Sequence, residues 1–472
     1  MINIGEFVSE NKSLLTAPAG YGKTYTISAC IKYAEDNKLG KQLILTHTHA
    51  GVISIKEKLK NNNVKSSSYN IETISSYIQK FVLAFYTGND IPEQDSNDFH
   101  SFILEKATTL FTIKNILAIV SSTYTGLFVD EYQDCTLKQH AIIESLSSVL
   151  PTHILGDHMQ GIFGFSDPLV DIEDDAHMGT FLDHRSELIE PRRRIIGNNL
   201  PLGEDLGRIR TLLENKQPIN ITAFPSITFY KTDSYLDNMP TIFNIIDSSD
   251  SLLFIEPQSR NIKARINFVQ RVLRRCILIE SIDSPDFYKL SKIFDSIDST
   301  NAYETIKEAF KYLFSQEGIT LRFNNKGIVN KREIKDKNII TPIGHLLETI
   351  IINPSFEVIS EFLKDVSKLP NVKFYRKDLF YSICKCLEES KYKGITVYEA
   401  MKARRNNMRR IGRKIYGKCI GTTLLTKGLE FDTVVLLNAH LFDNPKDLYV
   451  ALTRATKELI IFSNNPVLKP YH

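Results

Sequence analysis

Ala17-Pro18-Ala19-Gly20-Tyr21-Gly22-Lys23-Thr24 decides the reading of this chain. The stretch lies between an apolar run, Leu14-Leu15, and a helix-compatible run from Tyr25 to Tyr33. A glycine-rich turn that closes on Gly-Lys-Thr between a strand and a helix aims backbone N–H groups and a helix N-terminus at a polyphosphate. Lys23 then reaches the terminal phosphates and the Thr24 hydroxyl holds magnesium. The pattern ordinarily opens on Gly, and Ala17 stands in that place. The bland alternative is a glycine-rich turn that merely precedes a helix.

Val129-Asp130-Glu131-Tyr132-Gln133-Asp134 favours the phosphate reading. An acid at a strand end beside a phosphate loop can hold magnesium through water, and the adjacent acid can polarise an attacking water. The carboxyl edge of a parallel sheet is where α/β folds place ligands. Asp130 is therefore the expected metal partner of Thr24, and Glu131 the expected catalytic carboxylate. Without the phosphate loop the pair would read as a solvated acidic turn.

The surrounding pattern is α/β. Residues 13–16 and 41–46 read as buried parallel strands around a helix from about 23 to 37, a βαβ opening. Residues 73–86 read as helical, and 87–100 as a polar, turn-rich excursion. Residues 127–129 and 154–157 are short apolar strands. Residues 227–231 and 251–256 start a second sheet, to which 419–426, 431–438 and 458–463 return. A helix begins near 446, and 276–414 is mostly helical and charged.

Composition narrows the class. A chain of 472 residues exceeds a single ordinary core and predicts several domains. A net charge of +3 says little about partners. The 6 cysteines are scattered, and Cys384-x-Cys386 lacks metal-ligand spacing, which fits a reduced, cytoplasmic protein. No signal pattern opens the chain, and no apolar run reaches the ~18 residues of a membrane span. Lys402 to Lys418 packs 8 cations into 17 residues with no acid. That is a phosphate-backbone surface, a solvated helix face or a dock for an acidic partner.

These motifs, taken with others in order, resemble a superfamily 1 DNA helicase of the UvrD/Rep/PcrA type. Leu45-Thr46-His47-Thr48-His49-Ala50 resembles motif Ia and Thr73-Ile74-Ser75-Ser76-Tyr77 motif Ib, which grip single-stranded DNA in that family. Leu155 to Phe163 resembles motif III, whose Gln, here Gln160, senses the γ-phosphate. The base-stacking aromatic that follows it would be Phe165, since the chain has no Trp. Gln258-Ser259-Arg260 matches a marker of the second motor domain. Thr426 to Asp432 is similar to motif V and Leu448 to Ala455 to motif VI.

The resemblance implies an α/β fold of two RecA-like P-loop NTPase domains, each a parallel sheet flanked by helices with a small, mostly helical insertion. The first motor domain would span 1–80 and 116–187, with its insertion at 81–115. The second would span 188–275 and 415–472, with its insertion at 276–414. It implies ATP and Mg2+ as cofactors, ATP hydrolysis, and 3′→5′ movement on single-stranded DNA. Arg454 is the implied arginine finger. Glu190-Pro191-Arg192-Arg193-Arg194 resembles motif IV, whose γ-phosphate Arg falls on Arg193, with Arg194 as the neighbouring register. The family sandwiches adenine between an Arg after the phosphate loop and a Tyr before the motif IV Arg. Here Tyr25 and Arg192 hold those places, exchanged.

The implied catalytic set is thus Lys23, Asp130, Glu131, Gln160, Arg193 and Arg454. Ala17, Ala19, Gly20, Gly22, Lys23, Thr24, Tyr25, Arg192 and Glu430 would bind nucleotide, and Thr24 and Asp130 its magnesium. Thr46, Thr48, Thr73, Phe165, Thr426 and Lys427 would bind DNA.

The chain also departs from the family. No Leu-Asn-x-x-Gln precedes Ala17, so selectivity for ATP over GTP stays open. Both insertions are short, and the chain stops soon after motif VI without room for a nuclease domain. Its size and motif set are similar to the helicase-like subunit of Gabija-type phage-defence complexes. That leaves two functions open: a single-stranded DNA translocase, or an ATPase that senses DNA or nucleotide and regulates a partner nuclease subunit. Neither involves a membrane.

Overall fold

A computed structural model describes residues 2–471 apart from 95, 97, 163–166, 258–261, 274, 282–283, 325–336, 375 and 412–414. Two compact units emerge: Met1–Ile279 with Arg409–His472, and Glu280–Met408.

The first unit holds two parallel six-stranded sheets. The first consists of β1 (Lys12–Thr16), β2 (Gln42–Thr46), β3 (Tyr69–Thr73), β4 (Gly126–Val129), β5 (Thr152–Gly156) and β6 (Arg185–Glu187), in the order β3-β2-β4-β5-β1-β6. All its pairings are parallel. The strands are short apolar runs because both faces are covered. Leu14, Leu43, Leu45, Leu127 and Val129 enter one core, whereas Leu15, Ile44, Phe128 and Leu155 enter the other. That alternation is the period-two pleat of a sheet packed on both sides.

β7 (Ile219–Asn220) opens the second half and pairs antiparallel with β14 (Val467–Leu468). The second large sheet contains β8 (Ile227–Lys231), β9 (Leu252–Ile255), β10 (Ile277–Leu278), β11 (Lys418–Gly421), β12 (Phe431–Leu436) and β13 (Ala455–Ser463). Its order is β10-β11-β9-β12-β13-β8, again wholly parallel. Leu253, Ile255, Val434 and Leu436 face one core, and Leu252, Phe254 and Val435 the other. The fold is α/β, with two RecA-like domains.

Three details differ from the sequence reading. Tyr69–Thr73 forms a strand at the edge of the first sheet, and Thr73 caps the helix Ile74–Phe85, accepting from Ser76 N at 3.1 Å. The strand expected at 419–426 ends at Gly421. Thr422 then caps a short helix, Thr423–Thr426, whose last hydroxyl bonds back to Thr422 O at 2.9 Å. β-branched residues mimic a strand here, but their hydroxyls satisfy helix-end backbone groups instead. The helix Phe99–Leu110, within the stretch read as a small insertion, places Phe99, Ile103 and Ala107 in the core under the first sheet.

The second unit is helical in its described residues, around a core that includes Phe287, Phe310, Phe362 and Leu387. Part of the basic run from Lys402 is structural rather than solvated. Arg405 is fully buried, stands 3.3 Å over the Phe287 ring and lies 3.6 Å from Asp378. Arg410 to Arg413 fall partly outside the described residues. Removing one member of a buried ion pair strands the other. Arg405→Ala is therefore expected to destabilise this unit by about 3 kcal/mol, read by urea unfolding followed by circular dichroism; an unchanged midpoint would contradict the packing role.

Candidate functional site

The phosphate loop leaves β1 at the carboxyl edge of the first sheet. Gly22 caps the helix Lys23–Asp36 with a φ of +105°, a conformation that L side chains rarely adopt. A Cβ there would also lie 3.0 Å from Arg192 Cδ. Lys23 is buried and its Nζ donates to Ala17 O at 2.9 Å, so the ammonium curls over its own loop. Ala17 supplies a carbonyl to that loop and lies behind the cavity rather than on its lining.

Asp130 and Glu131 follow β4 at the same edge. Glu131 sits at a φ of +57°, a left-handed conformation uncommon for a non-glycine residue and typical of functional sites. Its Oε2 accepts from Gln133 Nε2 at 2.5 Å. Burial, together with the charge of Glu131, pushes the Asp130 carboxyl up to about 7. Burial acts on Glu131 too, but the ammonium groups of Lys427 and Lys23 outweigh it and hold that group down at about 2. Asp130 Oδ1 is buried without a hydrogen-bond partner among the described residues. A buried carboxylate oxygen left open, in a cavity that the Thr24 side chain also lines, suits a magnesium ion with its waters.

That cavity, about 560 Å³, lies between the two sheets of the first unit. Ala19, Gly20, Gly22, Lys23, Thr24 and Tyr25 line it from the loop, and Asp130, Glu131 and Gln160 from the other strand ends. Arg192, Arg193, Lys427, Glu430 and Arg454 line it from the second half of the unit. Residues as far apart in the chain as Ala19 and Lys457 thus share one space. Arg454 is 2% exposed and threads its guanidinium through four contacts: Val450 O at 2.9 Å, Leu429 O at 3.3 Å, Thr453 Oγ1 at 3.1 Å and Gln160 Oε1 at 3.2 Å. Burial, and then the neighbouring Arg193, lower its affinity for its proton to about 10.

Arg193 donates to Thr453 O at 2.7 Å and Glu430 Oε1 at 2.5 Å. The Arg194 side chain lies outside the described residues, so the one-residue choice of register rests on Arg193 alone. Glu430 meets Arg193 rather than standing free. Arg192 stands 4.8 Å over the Tyr25 ring. An intercalated base would need about 7 Å, two van der Waals layers, so these side chains stack on each other and must part to admit one.

The residues read as DNA contacts divide. Thr48 lines the cavity and caps the helix His49–Asn61, accepting from Gly51 N at 3.0 Å. Gly428, at a φ of +80°, packs its bare Cα here; a Cβ would come within 3.3 Å of Thr48 Oγ1. Thr46, Thr73 and Thr426 are buried, and the last two spend their hydroxyls on neighbouring groups. Lys427 is 2% exposed and forms an ion pair with Asp134, also donating to Gln160 O. Its ammonium is therefore engaged in the cleft interior. Phe165 and Gln258-Ser259-Arg260 lie outside the described residues.

Several lining residues escaped the sequence reading. Ser54 and Lys58 lie on the helix that follows Thr48, and Lys457 on β13. The spacing Gly51, Ser54, Lys58 marks one helix face and was available as a signal. No local pattern pairs Asp134 with a lysine nearly three hundred positions away.

If Tyr25 and Arg192 flank a base, Tyr25→Ala is expected to weaken nucleoside triphosphate binding about tenfold or more, stacking being worth ~1–3 kcal/mol, and Tyr25→Phe hardly at all. Titration of a fluorescent nucleotide checks this, and equal effects of the two substitutions would count against it.

Two family models match the chain. One, described as an AAA domain, matches residues 3–166, and a second, described as a viral superfamily 1 RNA helicase core domain, matches residues 366–463. No curated protein matches. Among solved structures, the chain is similar to the Pif1 helicase from Candida albicans at 12% identity and a TM-score of 0.40, over 99% of this chain and 96% of that one. The family matches, one covering Lys23, Asp130, Glu131 and Gln160 of the cavity and the other Lys427, Glu430 and Arg454, support a superfamily 1 helicase.

Proposed function

We propose that the chain is an ATP-driven translocase on single-stranded DNA, moving 3′→5′, with hydrolysis at the cavity between its RecA-like domains. The observation that carries this is the meeting of Lys23, Glu131 and Gln160 with Arg193 and Arg454 around one space. A γ-phosphate held there takes cations from both domains, and hydrolysis removes the charge that draws them together. Lys23 leaves Ala17 O for the phosphates. Thr24 and Asp130 would hold the magnesium ion, which neutralises phosphate charge when bound. Glu131, kept ionised by Lys427 and Lys23, orients the attacking water. Arg454 and Arg193 stabilise the transferring group from the far side.

A second reading keeps the ATPase and drops processive unwinding: a DNA- or nucleotide-sensing subunit that regulates a partner nuclease in phage defence. What favours it is the burial of two expected DNA contacts, Lys427 in the cleft and Thr426 against its own helix. The substrate strand itself divides the readings further, since one matching family is named for RNA.

Purified protein is expected to hydrolyse ATP faster with single-stranded DNA than with RNA and to separate a duplex with a 3′ tail. Stimulation by RNA alone, or opening of 5′-tailed duplexes only, would overturn the substrate or the polarity. Hydrolysis without strand separation, with a nuclease co-purifying, would favour the second reading. Lys23→Ala and Glu131→Gln are each expected to lower turnover at least about 100-fold with unchanged circular dichroism.

A further inference from the structure

Arg210 belongs to none of the motifs above, yet it holds a central place between the two sheets. It lies on the helix Leu200–Glu214, whose Leu202, Leu206, Ile209 and Leu213 pack into the core of the second sheet. Its side chain is 14% exposed and reaches across to Asp157, at the end of β5, whose side chain is 0% exposed. Arg210 Nη1 donates to Asp157 Oδ1 at 2.7 Å and to the Tyr449 hydroxyl at 3.1 Å. Its Nε pairs with Glu214 at 2.8 Å, and the guanidinium stands 5.3 Å over the Tyr449 ring.

Both partners lead into the cavity. Asp157 Oδ2 accepts from Gln160 Nε2 at 2.9 Å, and Gln160 Oε1 accepts from Arg454 Nη2 at 3.2 Å. The Gln160 amide is thus held at both ends, by Asp157 within its own half and by Arg454 from the other. Along the second arm, the Tyr449 hydroxyl accepts from the N–H of Ala19 in the phosphate loop at 3.2 Å. One guanidinium therefore ties the phosphate loop and the γ-phosphate-reading glutamine to the opposite half, without lining the cavity itself. Charge-assisted bonds between buried groups of this kind fix geometry, and a carboxylate stripped of its cation re-orients.

We propose that Arg210 is a positioning residue that sets the Gln160 amide for the transition state and couples the phosphate loop to the second RecA-like domain through Asp157 and Tyr449. The inference rests on the hydrolytic reading of the cavity. A residue that aims a transition-state group from behind the site governs kcat more than nucleotide affinity. Lysine cannot reproduce the planar fork that serves Asp157 and Tyr449 together.

The test compares Arg210→Ala, Arg210→Met, Arg210→Lys, Tyr449→Phe and the double variant Arg210→Ala/Tyr449→Phe in the full chain. Arg210→Met keeps the packing on Tyr449 and guards against a variant that fails to fold. The readouts are DNA-stimulated ATP hydrolysis and titration of a non-hydrolysable ATP analogue. Expected are a fall in kcat of about tenfold or more for Ala and Met, a smaller fall for Lys, and KM and analogue affinity within about twofold of the unmodified chain. The double variant is expected to lose less than the product of the single effects, since both act on one network. Unchanged kcat in the Met variant, or losses that multiply, overturn the role of Arg210 while the unmodified chain's turnover leaves the motor reading standing. Absence of turnover in the unmodified chain rejects both.

Discussion

The bond between Arg454 and Gln160 is the constraint on which the site depends, because it joins groups from the two sheets at the point where phosphate charge would sit. Arg454 is buried among carbonyls that orient it, and its charge is tolerated because Glu131 and Glu430 lie nearby. A guanidinium so enclosed has little freedom to serve as a surface ion pair; its donors are held by protein acceptors at the cavity wall. The parallel sheets set this up. Each delivers its strand ends to one edge, so the phosphate loop, the Asp130–Glu131 turn and the Gln160 turn arrive together from β1, β4 and β5.

Charge balance within the cavity follows from that convergence. Lys23 and Lys427 approach two adjacent carboxylates, and the outcome is asymmetric: Asp130 is pushed toward its neutral form while Glu131 stays ionised. Burial raises both groups, and the lysine cations offset it for Glu131 more than for Asp130. Asp130 retains an open oxygen, and Glu131 is fixed by Gln133, which also accepts from Asp157 N at 2.9 Å. The same glutamine thus ties the acidic turn to the Gln160 turn.

Legibility in the sequence followed locality. The phosphate loop and the paired acids were readable from the chemistry of short stretches, Gln160, Arg193 and Arg454 from their resemblance to helicase motifs, and the cavity brings all of them together. Strands buried on both faces, such as Gln42–Thr46 and Phe431–Leu436, were readable as apolar runs. What escaped depended on partners distant in the chain. Tyr69–Thr73 is an edge strand only because Gln42–Thr46 pairs with it. Lys427 read as a DNA contact, yet Asp134 meets it in the interior, and Arg405 read as part of a basic stripe, yet Phe287 and Asp378 enclose it. A local pattern reports a side chain's chemistry, whereas its burial is a property of the whole fold.

The stacked pair of Tyr25 and Arg192 extends this reasoning to substrate entry. Both side chains are long and lie at the mouth of the cavity, Tyr25 being 45% exposed. Were a base to enter between them, as the resemblance implies, it would exchange one cation–π contact for two faces on the base. That exchange gains contact area without requiring any specific hydrogen bond to the base edge. Stacking of this kind grips purines by their shared π-face, so discrimination between ATP and GTP must come from groups other than this pair. In the proposed site the phosphate end, with cations from both sheets, would supply most of the geometric demand, and the base end grip.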